Sequence, residues 1–343
     1  MKGLYLLGGR QKKTLLNAKE EWHLYERALI LELDAQSGAS KVRVDYETPS
    51  DARAGEDSSI LFKSGTLRGN RLYACTSTEV LVYELPLFKR VGYVSLSCFN
   101  DLHHVRPTDQ HNLLVANTGL DMVVEFTAQG EVLRQWSVLG EDPWGRFSRE
   151  IDYRKVASTK PHLSHPNYVF QLGSDIWVTR HVQKDTVCLT RSARVAIDIE
   201  KPHDGDVLAH GIYFTTVDGQ VVVVDPNTLQ VRNVVDLKLI DNESRALLGW
   251  CRGLLVLDEA RVWVGFTRVR KTKFRENLSW VRHAFRDVVK PTHIALYDLA
   301  AKKCLQEIDL ERHGMDVVYS IFPAESCPSA AQCDQPVRAS SQN

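Results

Sequence analysis

Short apolar runs recur along the chain, and each ends in small or polar residues. They are rich in Val, Ile, Leu, Phe and Tyr, which is typical of β-strands. Six runs share this pattern most clearly, and they cover residues 4–9, 72–77, 113–118, 176–181, 212–217 and 262–267. The pattern therefore predicts one structural unit that is repeated six times.

Each unit contains further runs around this first segment. A second run follows after a polar turn, as at residues 80–85, and a third follows a turn such as 35–38. A fourth run precedes the first segment, as residues 168–170 precede 176–181. Four strands per unit form a β-propeller blade, so we predict an all-β, six-bladed propeller. Five or seven blades, and a pair of β-sandwiches, are the alternatives.

The two ends of the chain are predicted to complete one blade together. The N-terminal region supplies three strands, and residues 315–322 form a single strand near the C-terminus. Their pairing would remove the sheet edges that an open array exposes. We therefore expect one propeller domain over residues 1–323. The remaining residues, 324–343, are rich in Ser, Ala, Gln and Pro and are expected to be disordered.

Three insertions make the spacing of the units irregular, and each contains a stretch that fits a helix: 11–27, 140–163 and 268–293. The last of them is clearly basic and has apolar residues at helical spacing, at Leu278, Val281 and Phe285. It joins the second and third strands of its blade, which places it over the channel mouth. Arg282 and Arg286 are thus predicted to bind an anionic substrate. The alternative is a solvated helix that packs by its apolar face.

Composition and charge narrow the function classes. The 343 residues include 43 basic and 43 acidic side chains, so the formal net charge is zero. Zero charge and the lack of an aromatic and basic platform argue against nucleic-acid binding. No apolar run is long enough to span a membrane, and the first residues do not form a signal peptide. Seven cysteines without a CxxC pair indicate reduced thiols. We expect a cytoplasmic protein that does not bind membranes.

Several catalytic motifs are absent from the sequence. There is no GxGxxG after a strand, no P-loop, no GxSxG and no HExxH. These absences argue against nucleotide-dependent dehydrogenases, NTPases, common serine hydrolases and zincins.

The likeness to a known group rests on residues 112–121 (NLLVANTGLD) and 211–219 (GIYFTTVDG). With these segments the chain resembles the broad six-bladed propeller group that includes strictosidine-synthase-like, gluconolactonase-like, NHL-type and arylsulfotransferase-like proteins. The resemblance implies the architecture but no single activity, because the group contains several enzyme classes and binding modules. Gluconolactonase-like members hold a divalent cation through Glu, Asn and Asp. Asn117 matches that Asn, but Gly8 and Gly9 stand where the Glu is expected, so that cation site is not carried over to this chain.

Histidines recur where innermost strands begin, in four of the six predicted blades. Imidazoles from separate blades can meet one metal ion at the channel mouth, and the predicted ligands are His104, His165, His203 and His313. His104 is preferred over the adjacent His103, because strand alternation allows only one of them to face the channel. The alternative is that each histidine only ties neighbouring blades together by hydrogen bonds.

Polar side chains at nearby strand ends complete the predicted site. Asp101, Asn117 and Arg180 are predicted to take part in catalysis, and His181 in substrate binding. For Arg180, an ion pair with Asp185 or Asp206 is the alternative. The sequence thus favours a metal-dependent enzyme that acts on a small anionic organic molecule, by hydrolysis or elimination. An oxidative role for the metal stays open. The competing hypothesis is a propeller that binds a protein or small ligand without catalysis.

Overall fold

The computed structural model describes residues 3–12, 25–240, 246–269 and 289–324. Within these ranges the strands form six antiparallel sheets of four strands each. The first strands of neighbouring sheets contact one another and form an inner ring. The chain is therefore a six-bladed β-propeller around a central channel, as the sequence predicts.

Each blade has its innermost strand at the channel, and the other three strands follow outward in order. Blade 1 contains β24 (Val317–Pro323), β1 (Gly3–Gln11), β2 (Tyr25–Asp34) and β3 (Ser40–Tyr46). Blade 2 contains β4 (Thr66–Arg68), β5 (Arg71–Cys75), β6 (Val80–Glu84) and β7 (Lys89–Val94). Blade 3 contains β8 (Leu102–Pro107), β9 (Leu113–Asn117), β10 (Met122–Phe126) and β11 (Val132–Ser137).

The other three blades follow the same order. Blade 4 contains β12 (Pro166–Leu172), β13 (Asp175–Arg180), β14 (Asp185–Cys188) and β15 (Arg194–Ala196). Blade 5 contains β16 (Pro202–Leu208), β17 (Gly211–Thr216), β18 (Gln220–Val224) and β19 (Val231–Asp236). Blade 6 contains β20 (Trp250–Val256), β21 (Arg261–Thr267), β22 (His293–Asp298) and β23 (Lys303–Asp309). Short 3₁₀ helices lie at Ser50–Ala52, Thr118–Leu120, Tyr153–Lys155, Leu237–Leu239 and Glu311–His313.

Aspartate side chains shape the hairpins between third and fourth strands. In the β2–β3 turn, Asp34 accepts hydrogen bonds from the backbone N–H groups of Gln36 and Ser37, at 2.9 and 2.8 Å. Asp225 accepts the equivalent pair in the β18–β19 turn. Such Asx turns give the chain a local alternative to extended backbone, so the strand ends there. This repeated turn is part of the repeat that the sequence shows.

The core lies between neighbouring blades. Buried side chains such as Val221 of blade 5 and Val262 of blade 6 belong to one apolar cluster, and similar clusters fill the other blade interfaces. Both faces of a blade are covered in this way, which explains why its strands are apolar on both sides. Five cysteines lie in the described part of the chain without a disulfide, and four of them are buried: Cys75, Cys98, Cys188 and Cys251.

The N- and C-terminal strands share blade 1, which confirms the predicted closure. β24 pairs antiparallel with β1, and the register joins Leu4 to Pro323 and Leu7 to Ser320. The predicted tail lies outside the described residues from 325 onward, as does most of the basic insertion, at 270–288. No helix in the described part of the chain has the length and apolarity needed to cross a membrane.

Five of the six innermost strands have an irregularity near their starts. The pairing of each with its neighbour is interrupted by a β-bulge in β8, β12, β16, β20 and β24. A bulge adds a residue to one strand and turns a side chain toward a new direction. The bulges contain or adjoin His103, His203 and Tyr319, and these side chains lie together at one end of the channel. We call this end, where the innermost strands begin, the channel mouth.

Candidate metal centre at the channel mouth

Five histidines lie together at the channel mouth. Ring centroids are 4.8 Å apart for His103 and His165, and 5.8 Å apart for His103 and His203. His165 also lies 5.1 Å from His162 and 4.9 Å from His181. These five residues form the histidine cluster. The structure therefore brings together three of the histidines chosen from the sequence, His165, His181 and His203.

Two members of the cluster and one carboxylate are arranged as metal ligands. One ligand atom from each of Asp101, His162 and His165 lies within 4.8 Å of the others. The Nδ1 atoms of His162 and His165 are 2.9 Å apart. Two imidazole nitrogens on one tetrahedral metal ion are separated by about 3.3 Å, given metal–nitrogen bonds of about 2.0 Å. The two rings thus need to move by only a few tenths of an ångström to share an ion.

Asp101 is fixed by a buried lysine. The ammonium of Lys63, whose side chain is 5% exposed, forms an ion pair with Oδ1 of Asp101. Burial alone would raise the pKa of Asp101, but the charge of Lys63 holds it below its usual value. The carboxylate is therefore ionised at neutral pH, and its oxygens can accept a cation as a ligand.

The histidine cluster is uncharged at neutral pH. Burial lowers the pKa of His162, and it lowers the pKa of His103, His165 and His203 well below the usual value. Burial together with nearby Lys201 lowers the pKa of His181 to about 3. Neutral imidazole is the form that binds metals and accepts protons. The histidines of the cluster can therefore either bind a metal ion or accept a proton.

His103, rather than His104, faces the cluster, so the sequence-based choice between them is wrong. The register of β8 moves from Leu102↔Asn117 to His104↔Ala116, which makes His103 the extra residue of the bulge. Simple alternation does not hold across a bulge. The Nε2 atom of His104 lies 3.0 Å from the carbonyl oxygen of Gly65, and its Nδ1 accepts from Val169 N–H. His104 therefore ties three neighbouring blades together.

Asp121 fixes the loop that carries two of the candidate ligands. Its carboxylate is 2% exposed and accepts hydrogen bonds from the backbone N–H groups of Leu163, Ser164 and His165, at 2.7 to 3.0 Å. Arg146 pairs with the same carboxylate at 2.9 Å. The backbone of His165 is left-handed, with φ of 61°, a conformation that costs free energy in a non-glycine residue. Asp121 supplies the bonds that hold it.

Asn117 anchors the other ligand-bearing loop and does not face the cluster. Its side chain is fully buried, accepts from Asn100 N–H at 3.0 Å and donates to Cys98 O at 2.7 Å. These bonds fix the residues just before Asp101. A side chain at Gly119 would place its Cβ 2.2 Å from Asn100 Oδ1, so only glycine fits there. The catalytic role predicted for Asn117 is therefore wrong. Asn117 instead positions the loop that carries Asp101.

We expect Asp121→Asn to weaken metal binding at least 10-fold and to cost about 3 kcal/mol of stability. The carboxamide has one acceptor oxygen for three N–H donors and leaves Arg146 unpaired. Asparagine keeps the left-handed backbone of residue 121 without strain, so the effect isolates the lost bonds. Calorimetric titration with Zn²⁺ and chemical denaturation measure the two effects.

Asp218→Asn is the matched control for that variant. Asp218 lies in the corresponding loop of blade 5 and pairs with Lys238 at 2.6 Å. Its replacement should reduce stability and leave Zn²⁺ affinity unchanged. Equal losses of Zn²⁺ affinity in the two variants would show that Asp121 has no specific positioning role.

Two other sequence-based choices lie elsewhere. Arg180 forms a two-pronged ion pair with the fully buried Asp185, at 2.6 and 2.8 Å, and lines an open groove of about 650 Å³ between blades 3 and 4. The structure thus shows the ion pair with Asp185 that the sequence analysis gives as the alternative to a catalytic role for Arg180. His313 bonds to Ser40 of β3, the outermost strand of blade 1, and is not in the cluster. Arg282 and Arg286 lie outside the described residues.

Insertion 140–163 delivers His162 to the channel mouth and borders a cavity of about 500 Å³. Asp101 and His162 form part of its wall, so the cavity adjoins the candidate ligands. Much of the remaining lining is polar and carries hydroxyl groups, from Thr48, Ser58, Ser59, Ser77, Thr78 and Thr159. The volume falls within the range of small-molecule pockets.

Sequence reasoning missed several residues of the site. His162 is not among the predicted ligands, although its spacing of three residues from His165 within one loop is a usable signal. Lys63 gives no signal, since a single lysine before a short strand is ordinary. Arg252 and Tyr319 also lie near the channel mouth, where the bulges in β20 and β24 bring them.

Fold and site together define a six-bladed β-propeller with a histidine-rich channel mouth. No family model matches the sequence, and no curated protein matches it. A solved protein of unknown function from Bacteroides caccae is similar at 12% identity and a TM-score of 0.60, covering 94% of this chain and 99% of that one. A structure of the nidogen/laminin complex is similar at 10% identity and a TM-score of 0.55, with the same coverage. At these identities the likeness shows the fold alone.

Proposed function

We propose that this propeller is a metal-dependent enzyme that acts on a small anionic organic molecule by hydrolysis or elimination. Asp101, His162 and His165 would hold one divalent first-row transition metal at the channel mouth. The observation that carries the proposal is the 2.9 Å approach of two imidazole nitrogens beside an ionised carboxylate. Imidazole and carboxylate ligands together suit Zn²⁺, Mn²⁺ or Fe²⁺.

Three protein ligands would leave coordination positions for a substrate. A bound metal at such a site polarises a carbonyl group or lowers the pKa of a bound water. The cavity beside Asp101 and His162 offers the space for a small molecule. This arrangement resembles catalytic metal sites more than structural ones, which are closed by four protein ligands.

A neutral histidine would move the proton that hydrolysis or elimination requires. His203 is 4% exposed, and its Nδ1 atom has no hydrogen-bond partner in the described part of the chain. A buried imidazole nitrogen without a partner is costly unless a ligand supplies one. His203 therefore fits the role of a general base or acid, and His103 and His181 lie near it.

Metal binding is the direct test of this proposal. We expect EDTA-treated protein, dialysed against Zn²⁺ or Mn²⁺, to retain one ion per chain by elemental analysis. His162→Ala and His165→Ala should each weaken binding at least 100-fold, because each removes one of three ligands. Their melting temperatures without metal should stay within a few degrees of the wild-type value.

His111→Ala serves as the control, since His111 is exposed and distant in the fold from the cluster. It should bind metal as the wild type does. Failure of the wild-type protein to bind any of the tested metals would contradict the proposal and would favour the second hypothesis, a propeller that binds its ligand without catalysis. Equal metal binding by all three variants would place the metal elsewhere.

A further inference from the structure

Arg252 brings a positive charge to the channel mouth. It lies on β20 directly before the bulge, where the register changes between Arg252 and Leu254. Its guanidinium carbon lies 4.3 Å from the ring centroid of Tyr319, which is itself 5.8 Å from the ring of His203. The arginine therefore lies beside the histidine cluster, next to His203 and His181.

This guanidinium has no acidic partner in the described part of the chain. No carboxylate there lies within 4.0 Å of it, whereas Arg146, Arg180 and Arg268 each have one. The Nε atom of Arg252 is buried, and no described residue accepts a hydrogen bond from it. A partly buried cation without a partner is unfavourable, and stacking on an aromatic ring offsets only part of the cost.

Other unpartnered polar atoms lie in the same part of the channel. The Oδ1 atom of Asn167, a residue 1% exposed, has no partner, and neither has Nδ1 of His203, within the described ranges. The amide nitrogen of Asn167 lies 3.3 Å from His181 Nδ1, which places this side chain beside the cluster. Buried polar atoms are nearly always bonded, so several unpartnered atoms on neighbouring side chains indicate a polar ligand.

We propose that Arg252 binds the carboxylate of a small organic acid, and that this acid is the substrate of the site. The inference rests on the proposed function and names its substrate class. The planar guanidinium presents paired donors that match a carboxylate, and Tyr319 holds the plane in place. Lys63 cannot take this role, because Asp101 already neutralises it.

Binding of simple anions to the metal-free protein tests this inference. Malonate is the probe, malonamide is its neutral counterpart, and inorganic phosphate represents the other common oxyanion. All titrations are made by calorimetry at one ionic strength. We expect wild-type protein to bind malonate at least 10-fold more tightly than malonamide or phosphate. Arg252→Gln should weaken malonate binding about 10- to 100-fold, since a buried charge-assisted pair is lost.

Arg232→Gln is the control for a lost positive charge, because Arg232 is exposed on the outermost strand of blade 5. It should bind malonate as the wild type does. Arg252→Gln should keep its melting temperature within a few degrees, since it removes an unpaired cation. Unchanged malonate affinity in Arg252→Gln, or tighter binding of phosphate than malonate, would overturn the inference.

Zn²⁺ titration of the same proteins separates this inference from the proposed function. Arg252→Gln should bind Zn²⁺ with wild-type affinity, because Arg252 is not among the candidate ligands. Arg252-dependent malonate binding without Zn²⁺ binding would support an acid-binding site and contradict the metal site. If the protein binds Zn²⁺ but the Arg252→Gln variant binds malonate as the wild type does, the metal site is supported and the acid-binding role of Arg252 is contradicted.

Discussion

Deleting the chain from Met315 onward is expected to leave no folded propeller. The deletion removes β24, the innermost strand of blade 1, and with it the pairing that closes the ring. Five buried side chains are lost: Met315, Val317, Val318, Tyr319 and Ile321. At about 2 kcal/mol each, their burial contributes about 10 kcal/mol, which is comparable with the whole stability of a typical domain. Circular dichroism and thermal melting measure the outcome.

A second deletion, from Ser326 onward, provides the control. It leaves every described residue in place, so its melting temperature should match that of the full chain. Both proteins should be compared at the same concentration, since an open sheet edge also promotes aggregation. If the longer deletion melted cooperatively near the wild-type temperature, the shared terminal blade would not be what closes the fold.

Metal-free protein is expected to lose several kcal/mol of stability between pH 7 and pH 5. Four histidines expose at most 6% of their surface, and burial is the main reason that their pKa values are lowered in the folded state. They are His103, His104, His203 and His293. As the pH falls through about 6.5, the unfolded chain takes up protons that the folded chain does not. Stability is therefore present above pH 6.5 and lost below it, by up to about 2 kcal/mol per histidine at pH 5.

Two buried carboxyl groups act in the opposite direction. Burial raises the pKa of Asp204 to about 7 and also raises that of Asp206, so the folded chain binds protons there that the unfolded chain releases. Their contribution rises as the pH falls and offsets part of the loss. The net effect still favours unfolding in acid, because the histidines are more numerous. Denaturant titrations at a series of pH values measure it.

His104→Gln tests the origin of that pH dependence. Glutamine can bond to Gly65 and Val169 but does not titrate, so the slope of stability against pH should decrease by about one proton below pH 6.5. A wild-type stability that is constant from pH 7 to pH 5 would contradict the assignment of these histidines as buried and neutral.

The repeat made most of the fold predictable. All six first segments chosen from the sequence became second strands of blades, from β1 at Gly3–Gln11 to β21 at Arg261–Thr267. Their β-rich composition and polar ends are local properties, so a single sequence reveals them. The closing strand was predictable for another reason. A blade has four strands, and the three N-terminal strands and the single C-terminal strand make up one complete blade only together. In insertion 140–163, the structure shows only the short 3₁₀ helix Tyr153–Lys155.

The candidate site was predictable only in part. The convergence of His165, His181 and His203 followed from strand order within a blade. The choice between His103 and His104 failed because the bulge in β8 changes which side chain faces the channel. Likewise, Asn117 and Asp121 are polar residues near a strand end, and only the structure shows that they bind loops rather than a ligand. Bulges and side-chain-to-backbone bonds depend on neighbouring blades, which local sequence does not encode.

X-ray absorption spectroscopy of the zinc-loaded protein tests the metal centre most directly. We expect one Zn²⁺ per chain, with two imidazole nitrogens and at least one oxygen at about 2.0 to 2.1 Å. In His162→Ala the imidazole contribution should fall by half or the metal should be lost. A wild-type spectrum without imidazole ligands, or one that His162→Ala and His165→Ala leave unchanged, would contradict a metal centre at Asp101, His162 and His165.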